Sequence, residues 1–91
     1  MLKVDKIIKI EPYNIVCLFN NGIEKSINVF PIIENHNHLI GIEKLKDENV
    51  FCMAKIGFFG EIFWENIIYN TKDKNWLDYD MSPEFIYYYS K

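Results

Sequence analysis

Two groups of residues in this 91-residue chain carry side chains that could do chemistry. The first is Glu34, His36 and His38, a Glu-x-His-x-His run. In an extended segment, alternation places all three on one face, where imidazole and carboxylate could hold zinc. A zinc site asks for a third or fourth ligand with supporting hydrogen bonds, and neither cysteine has an evident route to this stretch, so the run reads first as a solvated loop. The second group is Asp73, Asp78, Asp80 and Glu84, with Glu61 and Glu65 nearby, which could supply paired carboxylates for acid-base or magnesium chemistry. Asp78 and Asp80 also precede a helix start, where negative charge is favoured by roughly 0.3–1 kcal/mol each whatever the function. Ser26, Ser82 and Ser90 have no histidine at a known spacing, and no glycine-rich phosphate loop, Gly-x-Ser-x-Gly elbow or His-Glu-x-x-His occurs. These residues predict no catalytic group and no cofactor; a small metal-dependent hydrolase using Asp78, Asp80 and the histidines is the runner-up.

A third group, aromatic, fits binding better than catalysis. Trp76, Tyr79, Phe85, Tyr87, Tyr88 and Tyr89 crowd the last part of the chain. On a helix Phe85, Tyr88 and Tyr89 share a face that a sheet can absorb, while Tyr87 points elsewhere. Tyr and Trp bring contact area at low side-chain entropy, so Trp76, Tyr79, Tyr87, Tyr88 and Tyr89 are the expected interface with a protein partner or a second copy. The competing use of the same rings is to close the end of the core.

Composition narrows the partners. Ten lysines and no arginine face thirteen carboxylates, for a net charge of −3. Nucleic-acid binders show a basic face, and bidentate reading of guanine or phosphate is chiefly arginine chemistry, so direct nucleic-acid binding is not expected. An acidic inhibitor that fills a basic nucleic-acid channel on another protein is a further alternative. The longest apolar runs fall far short of the roughly 20 residues that cross a bilayer. Lys3, Asp5, Lys6 and Lys9 interrupt the opening residues, leaving no signal-like apolar stretch, and the expected compartment is the cytoplasm. Cys17 and Cys52 lack Cys-x-x-Cys spacing and sit in apolar contexts, which predicts two buried free thiols.

The elements that must position these groups follow from local pattern. Residues 13–29 hold two strand-like runs around Asn20-Asn21-Gly22, a strong hairpin signal. Before it, Leu2, Val4, Ile8 and Ile10 alternate with charged residues, predicting a half-buried strand that ends at Pro12. Val16 and Leu18 make the second face of the next strand apolar too, which predicts cover on both sides. Lys25 interrupts the apolar face of the third strand, as an edge position allows. Pro31 predicts one helical turn, followed by a polar loop over 34–37. Asp47 predicts an N-cap and a helix near 47–53 facing Phe51 to the core. Residues 56–64 predict a second hairpin around Gly60. The polar loop 70–75 is flanked by residues that can pair as a ribbon. Ser82-Pro83-Glu84 combines a capping hydroxyl, a first-turn proline and a carboxylate, and predicts a closing helix.

Taken in order, these signals resemble the small bacterial family known as domain of unknown function 2442. The resemblance runs through Pro12, the hairpin from Tyr13 to Gly22, Asn28-Val29-Phe30-Pro31-Ile32-Ile33, Leu45-Lys46-Asp47 with Phe51, Gly60-Glu61-Ile62-Phe63-Trp64, and the closing Asp80-Met81-Ser82-Pro83-Glu84-Phe85-Ile86-Tyr87. Each motif alone is a turn or cap signal; their order and spacing carry the likeness. The chain departs from the pattern after Trp64, where Glu65-Asn66 leads into an insertion over 67–79. The resemblance implies a compact α+β domain and, from members encoded beside small toxins, an antitoxin-like protein partner; it implies no activity. The sequence therefore predicts a single domain over 1–91, α+β, with a mostly antiparallel sheet of about five strands and two or three short helices. Its expected role is a non-enzymatic interaction domain that regulates or neutralises another small protein.

Overall fold

The computed structural model describes residues 1–91 and shows an α+β fold with six strands in two antiparallel three-stranded sheets and three short helices. The first sheet runs β1 (Val4–Glu11), β2 (Asn14–Phe19) and β3 (Glu24–Asn28), in that spatial order. Its hairpin turns at Gly22, whose φ of +84° falls in the region that disfavours a Cβ. The Gly22 N–H donates to the Phe19 carbonyl and the Phe19 N–H to the Ile23 carbonyl, each at 2.9 Å, which pins the register. Ile15, Cys17 and Phe19 share one face of β2 and are buried.

Period two fails in β1. Register irregularities between Val4 and Lys6 and between Ile7 and Lys9 insert extra residues, so Val4, Ile7 and Ile10 stand opposite Phe19, Cys17 and Ile15. Ile8, predicted inward by alternation, is exposed. The second face of β2 is not covered as expected. Leu18 lies between Lys6 and Glu24, and Val16 between Lys9 and Ser26, and both remain half-buried on the outer face.

A helical stretch connects the sheets: α1 (Phe30–Asn35), a 3₁₀ turn over Ile42–Lys46, and α2 (Glu48–Phe51). Pro31 sits in the first turn of α1, and the Asp47 carboxylate accepts from the Asn49 and Val50 N–H groups to cap α2. The second sheet contains β4 (Lys55–Ile56), β5 (Ile62–Asn70) and β6 (Asn75–Met81), with β5 in the middle. Residues 67–79 extend β5 and β6, with Tyr69 opposite Trp76 and Asn70 opposite Asn75. Between the Trp64–Tyr79 and Ile68–Leu77 pairs, three β5 residues face one of β6. Asn66 takes φ +54° there and donates its N–H to Asp78 Oδ1 at 3.0 Å, and the bulge returns Ile67 to the core.

Both sheets feed one core. Trp64 from β5 is buried between Phe51 and Tyr79, and its indole N–H donates to the Phe51 carbonyl at 2.8 Å. Tyr13 packs on Phe30 and Phe51 and donates its hydroxyl to the Lys46 carbonyl, which fastens the first sheet to the same helices. The chain closes with α3 (Pro83–Tyr89), capped by Ser82 Oγ, which accepts from the Phe85 N–H at 3.1 Å. Residue 91 then exchanges two backbone hydrogen bonds with Ser26, covering the outer edge of β3. Lys25 is at that edge, as expected; its ammonium donates to the Tyr87 carbonyl at 2.6 Å and lies over the Tyr87 ring.

The two cysteines part company. Cys17 is buried in the core, where burial pushes its thiol up to about 11, whereas Cys52, just past the four-residue α2, is exposed. Native protein treated with iodoacetamide near pH 8 should therefore label one thiol per chain, at Cys52, with Cys17 labelled only after denaturation. Mass spectrometry showing equal native labelling of both would contradict this packing.

Candidate functional site

The turn between β4 and β5 reads Gly57-Phe58-Phe59-Gly60, two large aromatics between two glycines. Gly60 has φ +78°, and a Cβ there would collide with the Lys3 backbone and side chain. That close approach lets the Gly60 carbonyl accept from the Val4 N–H at 3.0 Å, tying β1 to the second sheet. Within the turn the Gly60 N–H donates to the Gly57 carbonyl at 3.0 Å, and the Gly57 N–H to the Glu61 carbonyl at 2.8 Å. Glu61 Oε1 accepts from the Phe59 N–H at 2.9 Å, with its carboxylate lying where a Cβ on residue 57 would be. Three of these hydrogen bonds close the turn within 57–61 and the fourth ties it to β1, and the two phenyl rings stand outward.

Phe58 is 87% and Phe59 62% exposed, with their rings edge to face at 5.1 Å. Burying one such side chain is worth roughly 1.5–3 kcal/mol, a gain that this turn forgoes twice. Around the rings stand Glu61, Asp78, Asp80 and Glu84. No lysine lies in salt-bridge range of any of them; Lys55, across the sheet beyond Phe63, is paired with Glu65. Four of the chain's thirteen carboxylates thus stand together at this corner, with Lys3 the one lysine beside the rings, its Nζ 5.9 Å from the Phe58 ring centre. Two shallow hollows flank the turn. One, of about 270 Å³, is walled by Gly57, Phe58, Phe63, Glu61, Asp78 and Asp80; the other, of about 260 Å³, by Met1, Leu2, Phe59, Glu61, Asp80, Ser82, Pro83 and Glu84.

The residues singled out in the sequence are dispersed. Glu34 lies in α1 and pairs with Lys46 at 3.1 Å, away from the histidines. His36 Nδ1 is 2.8 Å from the Tyr79 hydroxyl, and His38 rests against the His36 ring. Tyr79 points from β6 into the core, so its neighbours Asp78 and Asp80 point to the opposite face. The histidines and the aspartates therefore lie on opposite sides of one strand and do not converge.

The expected aromatic interface also divides. Tyr79 is 8% exposed and belongs to the core rather than to any surface. The α3 face is the reverse of the one expected: Pro83 and Ile86 are buried and Tyr87 and Ser90 half-buried, an i, i+3, i+4, i+7 stripe. Tyr87 packs edge-on against Phe19, while Tyr88, 81% exposed, faces outward with Tyr89 and Phe85, whose rings stack at 5.2 Å. Trp76 is at the far end of β6, about 17 Å from Met81 at strand rise, with Lys44 Nζ 3.3 Å from its ring centre.

Phe58 and Phe59 were missed because aromatic residues in a hairpin read as core formers. The available signal was their place at a turn tip, where Gly, Asn, Asp and Ser are the usual occupants. Comparison of the chain with protein-family models, curated proteins and solved structures finds no match.

The inward position of Tyr79 has a measurable consequence. Burial, reinforced by the adjacent Asp80 charge, pushes its phenol up to about 12 from an ordinary value near 10. Between pH 10 and 12 the unfolded chain loses this proton while the native one keeps it, so stability present below pH 10 declines as pH rises. The loss reaches about 2–3 kcal/mol. Urea unfolding at pH 8 and pH 11.5 should show it in the wild type and not in Tyr79→Phe. Equal pH dependence in the two proteins would place the phenol in solvent.

Proposed function

We propose that this protein is a non-enzymatic interaction domain, a regulatory or neutralising partner of another protein, and that it docks through the turn at 57–60. The observation that carries this reading is the rigid outward presentation of Phe58 and Phe59 on a backbone fixed from both sheets. A flexible loop would lose affinity to ordering on binding, whereas a pre-set turn does not. Exposed aromatic anchors with a charged surround are the usual composition of an interface hot spot and its rim. Phe85, Tyr88 and Tyr89 on the outer face of α3 provide a second aromatic surface of the same kind. The antitoxin-like role implied by the resemblance to domain of unknown function 2442 is part of this proposal.

Charge selects among partners. Two-fold pairing of the turn with itself would bring four unpaired carboxylates against four, so the partner here is a different chain. The same charges disfavour phosphate backbones and anionic lipid, and no helix is long and apolar enough to cross a membrane. The four carboxylates grouped around the turn also support the acidic-inhibitor variant, in which the partner's own basic channel is the target. The cytoplasmic location expected from the sequence is part of the same proposal.

Tagged protein purified from its native cells should co-purify with a partner in the wild type. Phe58→Ser/Phe59→Ser should lose that partner while melting within about 8 °C of the wild type, since each exposed substitution changes stability by roughly 0.5 kcal/mol or less. A partner retained undiminished by the variant, or none recovered, would refute the proposal.

A further inference from the structure

The chemistry of the two hollows beside the turn specifies more than a generic interface. Resting on the docking role proposed above, we infer that the partner presents a basic segment, with lysine or arginine side chains seated against Phe58, Phe63 and Phe59. Each hollow combines the two features that recognise a cation. Aromatic faces carry negative quadrupole potential, and unpaired carboxylates supply charged acceptors. The first hollow sets Phe58 and Phe63 beside Glu61, Asp78 and Asp80; the second sets Phe59 beside Glu61, Asp80 and Glu84, with Met1 and Leu2 on its remaining side. Glu61 and Asp80 belong to both, so cations in the two hollows share an acidic divide.

The chain already shows a version of this contact. Lys3 Nζ lies 5.9 Å from the Phe58 ring centre, at the outer limit of a cation–π approach, and forms no salt bridge. Two carboxylates at this corner are held in place by backbone donors, Glu61 by the Phe59 N–H and Asp78 by the Asn66 N–H. Each keeps further acceptor capacity, because a carboxylate has about four lone-pair sites. Asp80 and Glu84 have no protein partner and stand free for an incoming cation. Exposed phenylalanines at a loop tip also suit insertion into lipid, but an acidic surround is repelled by an anionic bilayer surface. Between these uses, the charge favours the cationic protein segment.

The test uses the full chain and a short fluorescent peptide in which Lys and Arg alternate with Leu, followed by anisotropy. Saturable binding is expected, weakening as salt is raised. Asp80→Asn/Glu84→Gln, which leaves the rings in place, and Phe58→Ser/Phe59→Ser, which leaves the acids, should each weaken it at least about tenfold. A version with Glu in place of every Lys and Arg should not bind. The inference is overturned by any of four results: absent binding of the basic peptide, binding indifferent to both variants, displacement by equimolar spermidine, or preferential binding to phosphatidylserine vesicles. If the peptide fails while partner recovery still depends on Phe58 and Phe59, the docking role stands and the basic occupant is wrong.

Discussion

The hydrogen bond from the Val4 N–H to the Gly60 carbonyl is the constraint on which this architecture turns. The two sheets form separate ladders, and this bond ties the first strand of one to the hairpin turn of the other. It requires residue 60 to approach Lys3 so closely that no Cβ fits, at a φ that only glycine adopts cheaply. With the bond made, Phe58 and Phe59 stand outward from the turn. Sealing the core and exposing Phe58 and Phe59 thus meet at one backbone contact.

The same economy explains the rest of the aromatic content. Trp64, Tyr79, Phe51 and Tyr13 form the seam between sheets and helices, with the indole N–H satisfied by the Phe51 carbonyl and the Tyr79 hydroxyl by His36. Tyr87 and Lys25 lock α3 onto the edge of the first sheet. What remains outside is Phe58 and Phe59 at the turn, Phe85, Tyr88 and Tyr89 on α3, and Trp76 beneath Lys44. Four carboxylates, Glu61, Asp78, Asp80 and Glu84, stand together around the first of these surfaces, which is why the turn outranks α3 as the proposed docking site.

Local chemistry was legible in the sequence, and bulges were not. The Ser82 and Asp47 caps, Pro31 in a first turn and the Gly22 hairpin each depend on side chains within three residues, and all appear where expected. Alternation misplaced Ile8 because β1 carries two irregularities that no residue type announces. The α3 face was reversed because three exposed aromatics outweighed Ile86, although Pro83, Ile86, Tyr87 and Ser90 hold the helical spacing. Glu34, His36 and His38 separate because Glu34 is helical and paired with Lys46. The candidate site was the least legible part. It is assembled from a turn, two strands and a helix start, and only their packing shows that the carboxylates lack lysine partners.

The most direct test of this account is native-state hydrogen exchange at the Val4 amide. If the bond to Gly60 holds the turn to the first sheet, this amide should exchange as slowly as those of the buried β2 residues Ile15 and Cys17, in step with global unfolding. Gly60→Ala should release it to much faster exchange while Ile15 and Cys17 remain protected. A Val4 amide that exchanges in the wild type as readily as the exposed loop at 70–75 would show the turn to be loose, and the pre-set docking surface would not exist.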